Sequence, residues 1–252
     1  MWGLIIRQNL SLEHTAAPQV GYDRLLSDDE DKRQSQYDIY LGERRIGETR
    51  SFVEREPGGL IFLETETTFH LGSASDLLNI DKEHVDILFT ATVSPLQGLQ
   101  SIRIMSKSLG IQCVGMVRDE RIVLQGSFGG KKISTEVPYA SHSIVLEPFT
   151  PLQGLSNLRE ADIGEAWNMH LVNPLTGGVD SVTLTLMDER VVWLEGSEMR
   201  LYLLTLQTRS SIWKTWVTSE GEVLYQGTPV GIFLKREPMH PELWQVIRNS
   251  RQ

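Results

Sequence analysis

The chain of 252 residues has a single cysteine, Cys113. An internal disulfide is excluded, and so is a metal site built from several thiolates. The redox compartment stays open, because a chain of this length buries about three-quarters of its unfolded surface and needs no disulfide to hold a core. Basic runs are equally scarce. None exceeds two residues, as in Arg44-Arg45, against a net charge of -9 and a pI near 5.2. A chain so acidic repels phosphate backbones, which speaks against nucleic acid as a partner. Long apolar runs are missing too. Residues 1–6, MWGLII, fall far short of the roughly 20 residues that span a bilayer, and no small-residue cleavage site follows them. That stretch reads either as a docked N-terminal segment or as the last turns of a truncated membrane anchor.

Helical periodicity is nearly absent. Only residues 241–249 carry it, with Pro241 at the first position and Leu243, Trp244, Val246 and Ile247 on one side. Residues 75–79 offer at most one further turn. Without helices between strands there are no β-α-β crossovers, and a doubly wound parallel sheet is excluded.

What is present is a succession of short β-type runs, and the densest lies at residues 211–237. There Trp213, Trp216, Val217, Val223, Leu224, Tyr225, Ile232, Phe233 and Leu234 are broken by Ser219-Glu220-Gly221 and by Gly227-Thr228-Pro229, the pattern of a β-meander. Upstream, alternating runs begin at Tyr37 and recur at 46–52, 60–71, 85–93, 99–106, 111–118, 121–126 and 132–137. After Gly164 come 165–172 and 182–186, a turn at Asp188-Glu189-Arg190, a strand at 191–195 and another at 199–208. Turn signals about every ten residues are those of an antiparallel sandwich or barrel. The predicted fold is all-β, a mainly antiparallel, strongly curved sheet or open barrel or sandwich with a short C-terminal helix. The predicted organisation is a segment and linker at 1–35, ending in the charge run 27–33, a β domain at 36–238 and the helical end at 239–252. One internal echo recurs, Ser94-Pro95-Leu96-Gln97-Gly98-Leu99 against Thr150-Pro151-Leu152-Gln153-Gly154-Leu155. It reads as a corner used twice, with both leucines of each copy anchored in the core.

Residues able to do chemistry are scattered. Cys113 sits in mid-strand with no neighbouring base to lower its pKa and reads as a buried thiol. His14, His70, His84, His142, His170 and His240 stand singly, with none of the close spacing by which one element supplies two metal ligands. Ser141-His142-Ser143 lacks a nucleophile elbow and reads as a loop. Glu64 and Glu66 share one face of a strand, but on an alternating strand that face is the solvated one. No catalytic residue, metal ligand or cofactor site follows from these patterns. The aromatic residues carry more content. Trp167, Trp193, Tyr202, Trp213 and Trp216 fall on neighbouring predicted strands, where they either pack the core or line a concave hydrophobic groove of a barrel that does not close.

The order Glu147-Pro148-Phe149-Thr150-Pro151, Ile163-Gly164-Glu165-Ala166-Trp167, Asn173-Pro174-Leu175-Thr176-Gly177, Thr215-Trp216-Val217 and Gly231-Ile232-Phe233-Leu234 resembles a β-rich bacterial envelope domain of unknown function. That domain also occurs beside transglutaminase-like domains. Tyr37-Asp38-Ile39-Tyr40-Leu41-Gly42 with Ile46-Gly47-Glu48 resembles its opening strands. The resemblance covers residues 36–238 and implies a curved sheet similar to periplasmic lipoprotein carriers, in an exported or membrane-anchored protein. Its motifs are turn glycines and strand aromatics, so it transfers no catalytic role. The expected function is a non-enzymatic envelope module that binds a lipid, an acyl chain or a partner protein, with membrane association through a truncated N-terminal anchor. The alternatives are a structural accessory subunit of a membrane complex, with no small-molecule ligand, and a cytoplasmic location.

Overall fold

The computed structural model describes residues 25–26, 30–72, 82–139, 143–145, 155, 158, 161–173, 178–209, 211–228 and 231–250. The first half holds β1 (Lys32–Leu41), β2 (Arg44–Arg55), β3 (Ile61–His70), β4 (His84–Ser94), β5 (Gly98–Ser106), β6 (Ile111–Arg118), β7 (Arg121–Phe128) and β8 (Lys131–Pro138). The second half holds β9 (Ser143–Val145), β10 (Ala166–Asn173), β11 (Gly178–Leu194), β12 (Ser197–Gln207), β13 (Ile212–Thr218), β14 (Val223–Gly227), β15 (Ile232–Glu237) and the helix α1 (Pro241–Asn249).

All fifteen strands belong to one sheet, in the order β8-β7-β6-β5-β4-β3-β2-β1-β15-β14-β13-β12-β11-β10-β9. The ladders are antiparallel except for the short β9, which runs parallel to β10. Among the described strands every pairing joins neighbours in the chain save β1 with β15, where Gln36 faces Glu237 and Leu41 faces Ile232. The sheet curls until β8, at one end, comes up against β11 near the other. Two glycines permit the tight approach of adjoining backbones: a Cβ on Gly126 would lie 2.0 Å from the Gln112 carbonyl oxygen, and one on Gly47 would lie 2.3 Å from that of Thr68.

Alternation decides what fills the curl. Along β3, Ile61, Leu63, Thr65, Thr67 and Phe69 are buried, while Phe62, Glu64, Glu66, Thr68 and His70 point outward. The same parity on β1 to β8 sends Tyr37, Ile39, Val53, Phe89, Ile104 and Leu124 inward, and β10 to β15 add Trp167, Leu184, Tyr202, Leu204, Val217 and Leu234 to the same core. At about 25 cal/mol per Å² of apolar surface this interior is the main stabilising contribution. Within it lies a small polar ladder. The Thr49 and Thr67 hydroxyls share a hydrogen bond of 2.9 Å, and those of Ser51 and Thr65 one of 3.1 Å. Both pairs are buried cross-strand partners on β2 and β3.

A second core lies on the outer face of the second half. Val192, Leu201, Trp216, Leu224, Tyr225 and Phe233 are covered there by Leu243 and Ile247 of α1. The helix starts where the residues dictate. The His240 side chain accepts a hydrogen bond from the Glu242 N–H, Pro241 takes the first turn, and Arg248 stands in the last turn opposite Glu242 in the first, each favoured by the helix dipole. Burying one leucine and one isoleucine contributes about 1.5–3 kcal/mol each, enough to hold a helix this short.

Several expectations change. The first strand begins at Lys32, where the charge run continues into a ladder with Glu54 and Val53 of β2. Asp188-Glu189-Arg190 is no turn: β11 runs through it, with a bulge between Leu186 and Asp188. The charges mimic a turn because they ride outside a sheet, where Arg190 pairs with Asp188 and Arg200 with Glu189. Of the corner leucines Leu99 is buried, but Leu96 is 96% exposed at the turn. Ser143 opens β9 rather than a loop. The turn at 75–79, nearly all of the 1–35 segment and most of the second corner copy lie outside the described residues, although Leu25, Leu26, Leu155 and Leu158 are buried in the main core.

Candidate functional site

The strand bulges decide where the five candidate aromatics go. Trp167 and Tyr202 are buried in the main core, and Trp213 is partly buried against it, with its indole N–H donating to Ser211 Oγ at 3.2 Å. Trp216 faces the opposite way. It lies under α1 and its Nε1 donates to Ser250 Oγ at 2.9 Å. Trp193 lies beyond the β11 bulge, on the hairpin formed with β12, and is 63% exposed beside Val191. The fold therefore places Trp167, Tyr202 and Trp213 on the main core and Trp216 and Trp193 away from it.

The polar candidates are placed as simply. Cys113 is buried on β6, its thiol directed at the Ser127 carbonyl oxygen at 3.6 Å. Glu64 and Glu66 stand on the outward face of β3. His240 caps α1. His14 and His142 lie outside the described residues, and of His170 only the strand position is described. His70 and His84, which look solitary in the sequence, are direct partners across β3 and β4. Their Nδ1 atoms are 2.9 Å apart. Only the β3–β4 register, set across the 71–83 connection, reveals the pair. Among the described residues no group of three or more His, Cys, Asp or Glu is arranged to hold a metal ion.

The outer face of the first half carries the feature that sequence reading missed. A cleft of about 450 Å³ opens where β3 to β6 end, lined by Glu66, Thr68, Asp86, Leu88, Met105 and Lys107 among others. Leu88 and Met105 are cross-strand partners, as are Met116 and Val123. With Val114, 40% exposed, and Met116, 47% exposed, they form a diagonal apolar stripe across β4 to β7. Arg103, Gln112 and Gln125 flank it. Val114 and Met116 share the outward face of β6, but Leu88, Met105 and Val123 stand among polar outward residues on their own strands, so the stripe exists only once the register is known.

A second, smaller hollow of about 200 Å³ lies beside α1, lined by Tyr40, Glu43, Phe233, Lys235, Trp244 and Arg248. Tyr40 stacks on Phe233 at 5.0 Å, Phe233 stacks on Trp244 at 6.1 Å, and Lys235 lies 5.4 Å from the Trp244 ring centre. The Lys235 ammonium is already paired with Glu237 at 2.6 Å, so the hollow presents stacked rings rather than a free cation.

Charge perturbation follows the fold rather than a reacting centre. Burial pushes the Tyr37 hydroxyl up, while Arg236 across the β1–β15 ladder and a hydrogen bond from Ser35 pull the other way. Arg236 also pairs with Glu222. Hydrogen bonding to Asp38, then to Glu48, raises Arg45 on the outer face. No helix among the described residues is long and apolar enough to cross a membrane.

No family model matches the chain. No curated protein matches it either. Among solved structures it is similar to a chain described as the crystal structure of a beta-barrel-like protein of domain of unknown function DUF1849 from Brucella abortus. The identity is 11%, the match covers 86% of this chain and 100% of that one, and the TM-score is 0.49. The assignment of the chain as an all-β, barrel-like domain rests on its own strand order and register.

Proposed function

We propose that the protein is a non-enzymatic binding module whose outer sheet face docks an apolar segment of a partner protein. The observation that carries the reading is the diagonal stripe of Leu88, Met105, Val114, Met116 and Val123 leading out of the β3–β6 cleft. Methionines on a sheet face adapt to varied apolar side chains, and the rim of Glu66, Asp86, Lys107 and Arg103 carries both charge signs, which suits a polypeptide better than an acyl chain. The stripe also extends beyond the cleft, further than one small ligand would need. The setting we propose is the bacterial envelope, with a membrane-complex protein as partner. That part rests on the motif resemblance alone, and cell fractionation checks it.

The test is selection of short extended peptides on the full-length protein, followed by fluorescence polarisation of the winners on Met116→Glu and Leu88→Glu. Alternating apolar peptides should be selected and should bind each variant at least about tenfold more weakly. Equal binding to wild type and both variants would overturn the site. Stoichiometric lipid adducts in native mass spectra of protein from host membranes, lost in Met105→Glu, would replace the partner protein with a lipid.

A further inference from the structure

We propose that His70 and His84 form a binding site for a divalent transition metal, with Cu2+ bound most tightly. The pair sits at the end of the β3–β4 ladder that the 71–83 connection joins. The Leu71 N–H donates to the Glu83 carbonyl at 2.8 Å, which makes residues 71 and 83 a hydrogen-bonded pair. The adjoining pair, His70 with His84, is then of the non-hydrogen-bonded kind, in which opposite side chains stand closest, with Cα atoms about 4.5 Å apart. Both imidazoles are exposed on the outward face, so neither is there to fill the core. Their rings meet nearly edge to face, with centroids 5.0 Å apart and planes at 82°.

The Nδ1 atoms stand 2.9 Å apart, the distance of a hydrogen bond between the rings, and two metal bonds of about 2.0–2.1 Å to one ion span about 2.9–3.4 Å, so a single ion fits in place of that hydrogen bond. Imidazole nitrogens suit Cu2+, Ni2+ and Zn2+, with Cu2+ the strongest of the three. The two rings supply two ligands, and water fills the remaining positions.

The experiment is a titration of the full, untagged chain with NiCl2 by calorimetry, with Cu2+ electron paramagnetic resonance in parallel. Wild type, His70→Ala, His84→Ala, the double variant and His240→Ala are compared. Both substitutions are on exposed side chains, and circular dichroism confirms that each variant keeps its sheet. The expected result is one Ni2+ per chain, bound about 10- to 100-fold more weakly by either single variant, because losing one imidazole removes the chelate. The double variant should bind at least as weakly as either single, His240→Ala should match wild type, and the Cu2+ spectrum should report two equatorial nitrogens. Single variants that bind Ni2+ as wild type does would overturn the site, as would a wild type with no Ni2+ binding below millimolar concentration.

Discussion

Trp216 Nε1 donates to Ser250 Oγ at 2.9 Å, so the most deeply buried indole of the meander is tied to the residue just past α1. The helix is thus part of the fold: it is the lid over the outer core of β13 to β15. Replacing Ile247, fully buried there, with alanine should cost about 2–4 kcal/mol. Ser250→Ala leaves an indole N–H without its partner and should cost about 1 kcal/mol. Urea unfolding followed by tryptophan fluorescence measures both, and an Ile247→Ala effect below about 0.5 kcal/mol would mean that the helix does not cover Trp216.

The buried hydroxyl ladder gives a prediction with opposite signs. Thr67→Val strands the Thr49 hydroxyl inside the barrel and should destabilise by about 1–3 kcal/mol. Adding Thr49→Val removes the stranded group and should recover most of that loss. A double variant as unstable as the sum of the singles would show that the two hydroxyls act separately.

Alkaline stability should depend on Tyr37. Burial raises its pKa above the ordinary value, so above about pH 10 the unfolded chain gives up the phenolic proton while the folded chain keeps it. The unfolded state then binds fewer protons, and stability falls as pH rises from about 10 toward the folded pKa. Denaturation midpoints of Tyr37→Phe should fall less steeply over that range than those of wild type. Parallel curves would assign the alkaline loss to other groups.

Two tryptophans of identical chemistry should behave as opposites. Trp167→Ala opens the main core and should cost about 3–5 kcal/mol, whereas Trp193→Ala, on the exposed hairpin, should change stability by less than about 0.5 kcal/mol. Iodide should quench a smaller share of the tryptophan fluorescence of Trp193→Ala than of wild type.

The fold class was legible because most strands of the first half are wet on one face, and a wet face prints as alternation. The run from Trp213 to Leu234 reads differently, as bulk with little alternation, because β13 to β15 are buried on both faces, by the barrel interior on one side and α1 on the other. Which residue faces which way was hidden there. A register shift after Trp216 puts Trp216 and Tyr225 outside and Val217 and Val223 inside. The β11 bulge hid the fate of Trp193 in the same way, since one extra residue exchanges the faces of everything after it. The stripe through Met105 and Met116 and the His70–His84 pair were illegible for a third reason. Both are relations across strands, and residues on one strand do not announce their neighbours on the next.

The pairing of β1 with β15 joins residues about 200 positions apart, such as Gln36 and Glu237, while every other ladder among the described strands joins chain neighbours. The molecule is in effect two meanders sewn along one seam. Each can zip from its own turns, so the slow step of assembly should be closure of that seam. The same arrangement invites division. Cut between β8 and β9, the chain would yield two fragments, each ending in one lip of the seam, and their reassembly in solution would read out that pairing together with the core the two halves share.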